Sequence, residues 1–202
     1  MRHGLVRELI NARALARSIQ ISNPEGASFD AILSAIRRYP ISDISAKGEA
    51  VGKMILKLSM KNNVMVVSMR NRPEVQLTIA RFAGEVNYAQ GQTFRVVSGA
   101  EMVSVTIDSK NVSKLESKIP KHHIRRQLGN LAELVIDMVP EADDTPNVLS
   151  AITTELAIND VNIVQLSTVG PGRIIILVKD RDATKAYQSL EAVSKANYSS
   201  EG

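Results

Sequence analysis

The feature that most constrains the fold is an order of elements that occurs twice along the chain. From residue 49 to residue 120 the apolar pattern predicts strand, helix, strand, strand, helix, and residues 131–195 repeat that order. Val105-Thr106-Ile107-Asp108 matches Leu177-Val178-Lys179-Asp180 at a spacing of 72 residues, and Pro73 matches Pro146 at 73. Two copies of one unit of ~70 residues are the simplest explanation, with a generic α+β chain as the alternative.

The first copy is expected to open with a hairpin, in which Asn62-Asn63 is the turn between two apolar strands. Pro73 suits the first turn of a helix, and Gly84 suits its end. The remaining elements are two strands and a short helix around Leu115. The predicted strands of this copy are Met54–Met60, Val64–Met69, Phe94–Val97 and Met102–Ile107.

The second copy is predicted to contain three strands, residues 134–139, 161–166 and 174–178, with one helix opened by Pro146 and another capped by Asp182. A further strand added to either copy would complete a split βαβ sheet with helices on one face. The predicted fold class is therefore α+β, a helical hairpin followed by two ferredoxin-like βαββαβ units whose sheets could join side by side.

The first ~40 residues read as two short helices across the turn Asn23-Pro24-Glu25-Gly26. Apolar residues from Leu5 to Ile19 follow helical spacing, and Ser28 can cap a second helix that ends before Pro40. A DNA-reading helix-turn-helix is one version of such a hairpin, and a dimerisation or docking arm is the alternative. The candidate phosphate contacts for DNA are Arg13, Arg17, Arg37 and Arg38.

These patterns divide the chain into five parts. Residues 1–48 are the helical segment, 49–120 the first unit, 121–130 a linker, 131–195 the second unit and 196–202 a flexible tail. Charge follows this division, because residues 51–130 carry 13 basic and 5 acidic side chains whereas residues 131–202 carry 5 and 11. Such opposite charges suit attraction between units or subunits, and ordinary solvated surface is the alternative.

Composition excludes several kinds of function. The chain has no cysteine, which rules out disulfides, thiolate metal sites and cysteine nucleophiles. No apolar stretch approaches the ~20 residues of a membrane span, and the start lacks the apolar core of a signal peptide, so a soluble cytoplasmic protein without a membrane partner is expected. Three Phe, four Tyr and no Trp leave few rings on which single-stranded bases could stack.

No pattern typical of an enzyme, a metal or a cofactor emerges. The acidic residues of the last third cluster on one loop at Glu141, Asp143 and Asp144, which suits solvent or a ligand better than paired acid–base chemistry. The run around His122-His123 lacks supporting ligands, so a connector or an anion-attracting patch is the favoured interpretation. We expect a non-catalytic protein with no metal and no cofactor.

Three stretches of the second copy resemble the ACT domain, a small βαββαβ regulatory module. Asp144-Thr145-Pro146-Asn147-Val148-Leu149 is similar to the family's Asp-x-Pro-Gly-x-Leu, with Asn147 in place of the usual Gly. Asp160-Val161-Asn162-Ile163 is similar to Gly-x-Asn-Ile, and residues 174–190 are similar to the third strand and last helix. The likeness covers residues 131–194, and with a diverged first unit the chain resembles archaeal-looking tandem ACT proteins.

The resemblance implies an amino-acid site between the first loop and the second strand, where two ACT units meet in a homodimer. A helix start at Pro146 can hold a ligand carboxylate, and Asp143 or Asp144 can hold the ammonium group. Asn162 offers amide groups. The alternatives are that Asp144 and Thr145 only cap the helix, that Asn162 only satisfies backbone groups in a turn, and that Gln165 is plain surface. The candidate ligand residues are Asp143, Asp144, Thr145, Pro146, Asn147, Val148, Leu149, Asn162, Ile163 and Gln165.

Three functions follow as hypotheses. The first is an amino-acid-responsive regulator that acts by a ligand-dependent change in domain or subunit arrangement. The second is a transcription regulator that binds DNA through the N-terminal helices and senses the ligand through the second half. The third is an assembly module that binds no ligand.

Overall fold

A computed structural model describes residues 11–24, 26–38 and 50–195. These form an α+β protein built on one curled, antiparallel, six-stranded sheet with the order β2-β3-β1-β4-β6-β5. The strands are β1 (Ile55–Arg70), β2 (Phe94–Ser98), β3 (Met102–Asp108), β4 (Ile124–Met138), β5 (Ile163–Thr168) and β6 (Arg173–Lys179). The helices are α1 (Ala12–Ser22), α2 (Phe29–Arg38), α3 (Pro73–Ala83), α4 (Ser109–Glu116), α5 (Val148–Ile158) and α6 (Ala183–Lys195).

The predicted hairpin at Asn62-Asn63 is wrong, because β1 runs through this point as one strand of 16 residues. Asn63 adopts a left-handed conformation with φ 60°, and the pairing with β4 shifts between Lys61 and Val64. A left-handed Asn can form a bulge as well as a turn. The bulge occurs here because both halves of β1 pair with β4, so neither half needs the other as a partner.

The strand β4 is equally long, and it contains residues 124–130 of the predicted linker. Its first half pairs with the second half of β1, and its second half pairs with both β6 and the first half of β1. Asn130 near its middle has φ 54°, so each long strand bends at a left-handed Asn. The two long strands therefore cross from one half of the sheet to the other.

This exchange gives each half of the sheet the four strands and two helices of a βαββαβ unit. The first unit, residues 64–128, takes its fourth strand from the first half of β4. The second unit, residues 131–195, takes its fourth strand from residues 55–61 of β1, which precede the first unit in the chain. The second unit is therefore not contiguous in sequence.

The repeat seen in the sequence is shifted by one residue in the matched strands. In the structure Val105 pairs with Val67 and faces the helices, and Ile176, paired with Leu134, is its counterpart. The offset between β3 and β6 is thus 71, not the 72 that matched Val105 with Leu177. The side chains of a strand alternate between the two faces of the sheet. The match of Val105 with Leu177 was therefore wrong by one residue, because Leu177 lies on the face opposite the helices.

The helices of both units cover one face of the sheet. In the second unit α5 and α6 pack on β4 and β6 through a core that includes Leu134, Ile152 and Leu190. In the first unit α3 and α4 pack on β1 and β3 through a core that includes Ile79 and Leu115. The extra residue in the β1 bulge keeps Leu58 and Val67 on this same face although one position is even and the other odd.

The opposite face carries a smaller apolar cluster, flanked by ion pairs between strands. Val64, Val66, Leu131 and Leu177 form the buried part of this cluster. Arg95 of β2 pairs with the buried carboxylate of Glu133 on β4. This pair connects strands that are not neighbours, because β3 and β1 lie between β2 and β4.

A second ion pair connects the neighbouring strands β1 and β3. Lys61 Nζ lies 2.5 Å from Asp108 Oδ1 and also donates to the carbonyl of Gly91.

The N-terminal helices α1 and α2 follow the predicted pattern where they are described. Asn11 caps α1 by accepting from Arg13 N at 3.0 Å, and Ser28 Oγ accepts from Ala31 N at 3.3 Å at the start of α2. Leu5, Pro40 and the predicted tail 196–202 lie outside the described residues. In the described ranges, no helix has the length and apolar character that crossing a membrane would require.

The left-handed Asn63 gives a first testable prediction. Replacing it by Val should destabilise the protein by roughly 1 kcal/mol, because a β-branched residue is strained at positive φ. Asn62→Val is the matched control in the same strand, where Val has the higher strand propensity and no loss is expected. Urea unfolding measures both, and equal stabilities of the two variants would contradict the assigned bulge.

The exchanged strand gives a second prediction. A fragment of residues 50–195 should unfold cooperatively, because it contains both long strands. A fragment of residues 131–195 should not unfold cooperatively. Without residues 55–61 the strand β4 becomes an exposed edge strand, and the buried Leu134 loses the neighbouring strand that shields it from solvent. Far-UV circular dichroism with thermal unfolding distinguishes them, and a cooperative transition in the shorter fragment would show that β1 is dispensable.

Candidate functional site

The candidate site lies in the second unit, at the loop of residues 139–147 that joins β4 to α5. The corresponding connection of the first unit spans only residues 71 and 72, so this loop is long. A short turn, Pro140–Ala142, folds it back, and Ala142 packs into the core. Val139 N donates to the carbonyl of Met54 at 2.9 Å, which ties the loop to residues that precede β1. The segment that precedes β1 therefore helps to fix the position of this loop.

The loop, the start of α5 and the β5–β6 turn enclose a cleft of about 310 Å³, which we call the acidic cleft. This volume lies at the lower end of the range for small-molecule sites, which starts near ~300 Å³. Its lining residues are Met138, Ala142, Asp143, Thr145, Asn147, Val148, Leu149, Ser150, Thr168, Gly172 and Ile174. Apolar and polar groups alternate around it, and Asp143 is the charged residue among them.

The helix α5 starts at this cleft without a side-chain cap. It begins at Val148, two residues after the predicted Pro146, and Asn147 precedes it with φ 73° and no capping hydrogen bond. Asp144 and Thr145, for which capping was the alternative, do not cap it; Thr145 Oγ1 donates instead to the carbonyl of Glu141 at 2.7 Å. The unpaired N–H groups of the first turn and their partial positive charge are thus left for an anionic group in the cleft.

Asp143 holds the opposite wall of the cleft. Both of its carboxylate oxygens lie 3.2 Å from Gly172 N in the β5–β6 turn. Gly172 has φ 66°, and its carbonyl accepts from Met138 N at 2.6 Å. A Cβ there would lie 2.3 Å from the Met138 carbonyl oxygen, so only glycine fits. The carboxylate retains lone pairs for a further donor.

An ion pair between β4 and β6 stands next to the cleft. Arg173 Nε donates to Asp137 Oδ1 at 2.5 Å, one residue from both Gly172 and Met138. This hydrogen bond raises the pKa of Arg173 further above its usual value, so its charge is fixed. The cleft itself combines a partially positive helix start with a negative carboxylate, and that combination suits a zwitterion.

The structure brings half of the predicted ligand residues together. Asp143, Thr145, Asn147, Val148 and Leu149 line the cleft, whereas Asp144 and Pro146 belong to the same loop but do not line it. Asn162, Ile163 and Gln165 lie outside it. The cleft takes Thr168 from β5, and Ile163 at the other end of that strand is about 16 Å away at the usual rise per residue. One small ligand cannot contact both ends of β5.

Several lining residues were missed by the sequence interpretation. Gly172, Met138 and Thr168 line the cleft, but none of them was among the predicted ligand residues. The signal that could have indicated them is topological, because the end of the second strand of a βαββαβ unit returns to the loop after the first strand.

The other candidate residues lie elsewhere. Arg13, Arg17, Arg37 and Arg38 are exposed on α1 and α2. His123 is buried in the first unit with Nε2 3.2 Å from Glu74 Oε1, and His122 is exposed beside it. The run that contains them is therefore partly a core contact of α3.

Comparison with known proteins identifies the fold. No protein-family model matches the chain, and no curated protein matches its sequence. Among solved structures, the aspartate kinase of Clostridium acetobutylicum is similar with a TM-score of 0.56 and 19% identity over 69% of this chain. The chain spans only 35% of that kinase. At this identity the likeness shows the fold alone.

Two further structures define which part of such enzymes the chain resembles. The regulatory subunit of aspartate kinase from Thermus thermophilus, in its ligand-free form, has a TM-score of 0.55 and 14% identity, and 70% of this chain covers 98% of it. E. coli aspartokinase III in complex with lysine and aspartate has a TM-score of 0.51 and 13% identity, over 69% of this chain and 33% of the enzyme. The fold is therefore ACT-like, similar to that of these regulatory parts, and the expected archaeal origin has no support here.

The β5–β6 turn gives a third prediction. Gly172→Ala should cost roughly 3 kcal/mol or more, because the added carbon overlaps the Met138 carbonyl at a positive φ. Gly170→Ala is the matched control, because its φ is 65° but no atom lies within 4 Å, so only ~1 kcal/mol should be lost. Thermal and urea unfolding measure both, and similar losses would show that the wall of the cleft is not tightly packed.

Proposed function

We propose that the chain is a non-catalytic regulator that binds a free amino acid in the acidic cleft. The observation that carries this proposal is that the uncapped start of α5 and the Asp143 carboxylate line the same small cleft. The N–H groups of the helix start would receive the α-carboxylate, and Asp143 would receive the α-ammonium group. The apolar Val148, Leu149 and Ile174 leave room for a side chain.

A regulatory role is supported by the extent of the structural likeness. The chain covers nearly all of an isolated regulatory subunit but only about a third of complete aspartate kinases. One of the similar enzymes was solved with lysine and aspartate, which makes an amino acid the first ligand class to test. We infer that binding changes the arrangement of the units or of the subunits of a homodimer, because an effector acts only through differential affinity for two states.

A ligand that draws the loop 139–147 toward α5 would act on both units. The loop is hydrogen bonded to Met54 next to β1 and to the β5–β6 turn through Asp143. A shift of the loop is thereby transmitted to the strand that the two units share. DNA binding through Arg13, Arg17, Arg37 and Arg38 stays a prediction of the sequence, as do the homodimer and the cytoplasmic location.

The test is a thermal-shift screen of the twenty amino acids with the full chain. A ligand that binds only the native state raises the melting temperature, and at 100 times its Kd it adds about 2.7 kcal/mol of stability. Asn147→Asp should abolish this shift, because a fixed carboxylate at the start of α5 competes with that of the ligand, while the ligand-free protein keeps its stability or gains some.

Asn162→Asp is the control, since Asn162 lies outside the cleft. It should leave the ligand shift unchanged. Loss of the shift in Asn162→Asp but not in Asn147→Asp would move the site to the other end of β5, as the family resemblance implied. If no amino acid changes the melting temperature or the oligomeric state, the assembly module would remain as the function.

A further inference from the structure

A second cleft, in the first unit, gathers arginines from distant parts of the chain. It is lined by Arg70, Arg72 and Arg125, together with Ala100, Glu101 and Met102, and encloses about 720 Å³. We call it the arginine cleft. It occupies the same corner of the first unit as the acidic cleft occupies in the second, at the end of the first strand, the start of the first helix and the turn of the hairpin. The two clefts thus occupy equivalent places in the two units, but the side chains that line them carry opposite net charges.

The crossing strands bring these guanidinium groups together. Arg70 ends β1, where it pairs with Met102 of β3, and Arg72 immediately precedes α3. Arg125 is the second residue of β4 and lies beside β1, because Met69 pairs with Ile124 and Ser68 with Arg126. Arg70 and Arg125 line one cleft only because β4 supplies the fourth strand of the first unit.

The three arginine side chains are exposed, and no carboxylate of the described chain pairs with them. Lys61, Arg95 and Arg173 each contact an acid within 4 Å, but none of the arginines in the cleft does. Glu101 is the single acid in the lining, so the side chains there carry a net charge of +2. Arg72 precedes α3 without a side-chain cap, and Glu74 in the first turn of α3 offsets the partial positive charge of that helix start. Three arginines against one acid leave the lining without full neutralisation.

We propose that the arginine cleft binds a small phosphorylated molecule. Guanidinium groups donate paired N–H bonds that match the oxygens of a phosphate, and the three exposed arginine side chains are accessible to a ligand from solution. A concave site of this size favours a small molecule over a nucleic-acid backbone, which needs an extended basic track. This site is independent of the acidic cleft, and a ligand here would be an anion rather than a zwitterion.

Titration calorimetry of the full chain with inorganic pyrophosphate, at constant ionic strength, tests the proposal. Arg125→Gln should weaken pyrophosphate binding at least ~10-fold, as expected for loss of a charge-assisted hydrogen bond. Arg126→Gln is the matched control, because it removes the same charge from the neighbouring exposed position outside the cleft, and binding should stay within about twofold. Arg72→Gln, also in the cleft, provides a second variant should Arg125→Gln fold poorly.

A second readout separates binding from a structural role. Without any phosphate, at low ionic strength, Arg125→Gln should melt at the same temperature as the unmodified chain or higher, because it removes repulsion. Absence of pyrophosphate binding, or equal weakening by Arg125→Gln and Arg126→Gln, would overturn the proposal. A single-stranded oligonucleotide that binds more tightly than pyrophosphate, and is weakened equally by both variants, would overturn it in favour of a nucleic-acid surface.

Discussion

The antiparallel pairing of β1 with β4 is the interaction on which the rest of the structure depends. Each strand is long enough to serve two units, and each bends at a left-handed asparagine, Asn63 or Asn130, where it passes from one to the other. Backbone hydrogen bonds along this pair hold the two halves of the sheet in one register. Because the first half of β1 completes the second unit, neither half of the protein is closed without the other.

This shared pair also explains why both clefts belong to the whole molecule. The loop of the acidic cleft is tied to Met54 beside β1, and the arginine cleft requires Arg125 from β4. Each cleft therefore includes a residue of β4, one of the two long strands that the units share. Two chemically opposite sites on one continuous sheet form a physical basis for coupling between ligands, since rigid elements shared by two sites can bias one equilibrium.

Most helices and strands were predictable because their signals are local. Pro73 opens α3, Gly84 ends it, and the alternation of Met102–Ile107 marks β3. The predicted turn at Asn62-Asn63 was wrong for a physical reason. A left-handed Asn can form a turn or a bulge, and the strand that pairs with it decides which of the two occurs. The alignment of the two copies was wrong by one residue because sequence similarity does not show which face of the sheet a strand residue occupies.

The fold class, the repeated order of elements and five of the eleven residues that line the acidic cleft followed from the amino-acid sequence alone, because hydrophobic periodicity, proline and glycine act over a few neighbouring positions. Three features depended on tertiary structure: which strand completes which unit, that Gly172 and Thr168 but not Asn162 reach the loop, and that Arg70 and Arg125 line one cleft. These outcomes depend on strand pairing between residues more than thirty positions apart, and local propensity carries no information about partners at that distance.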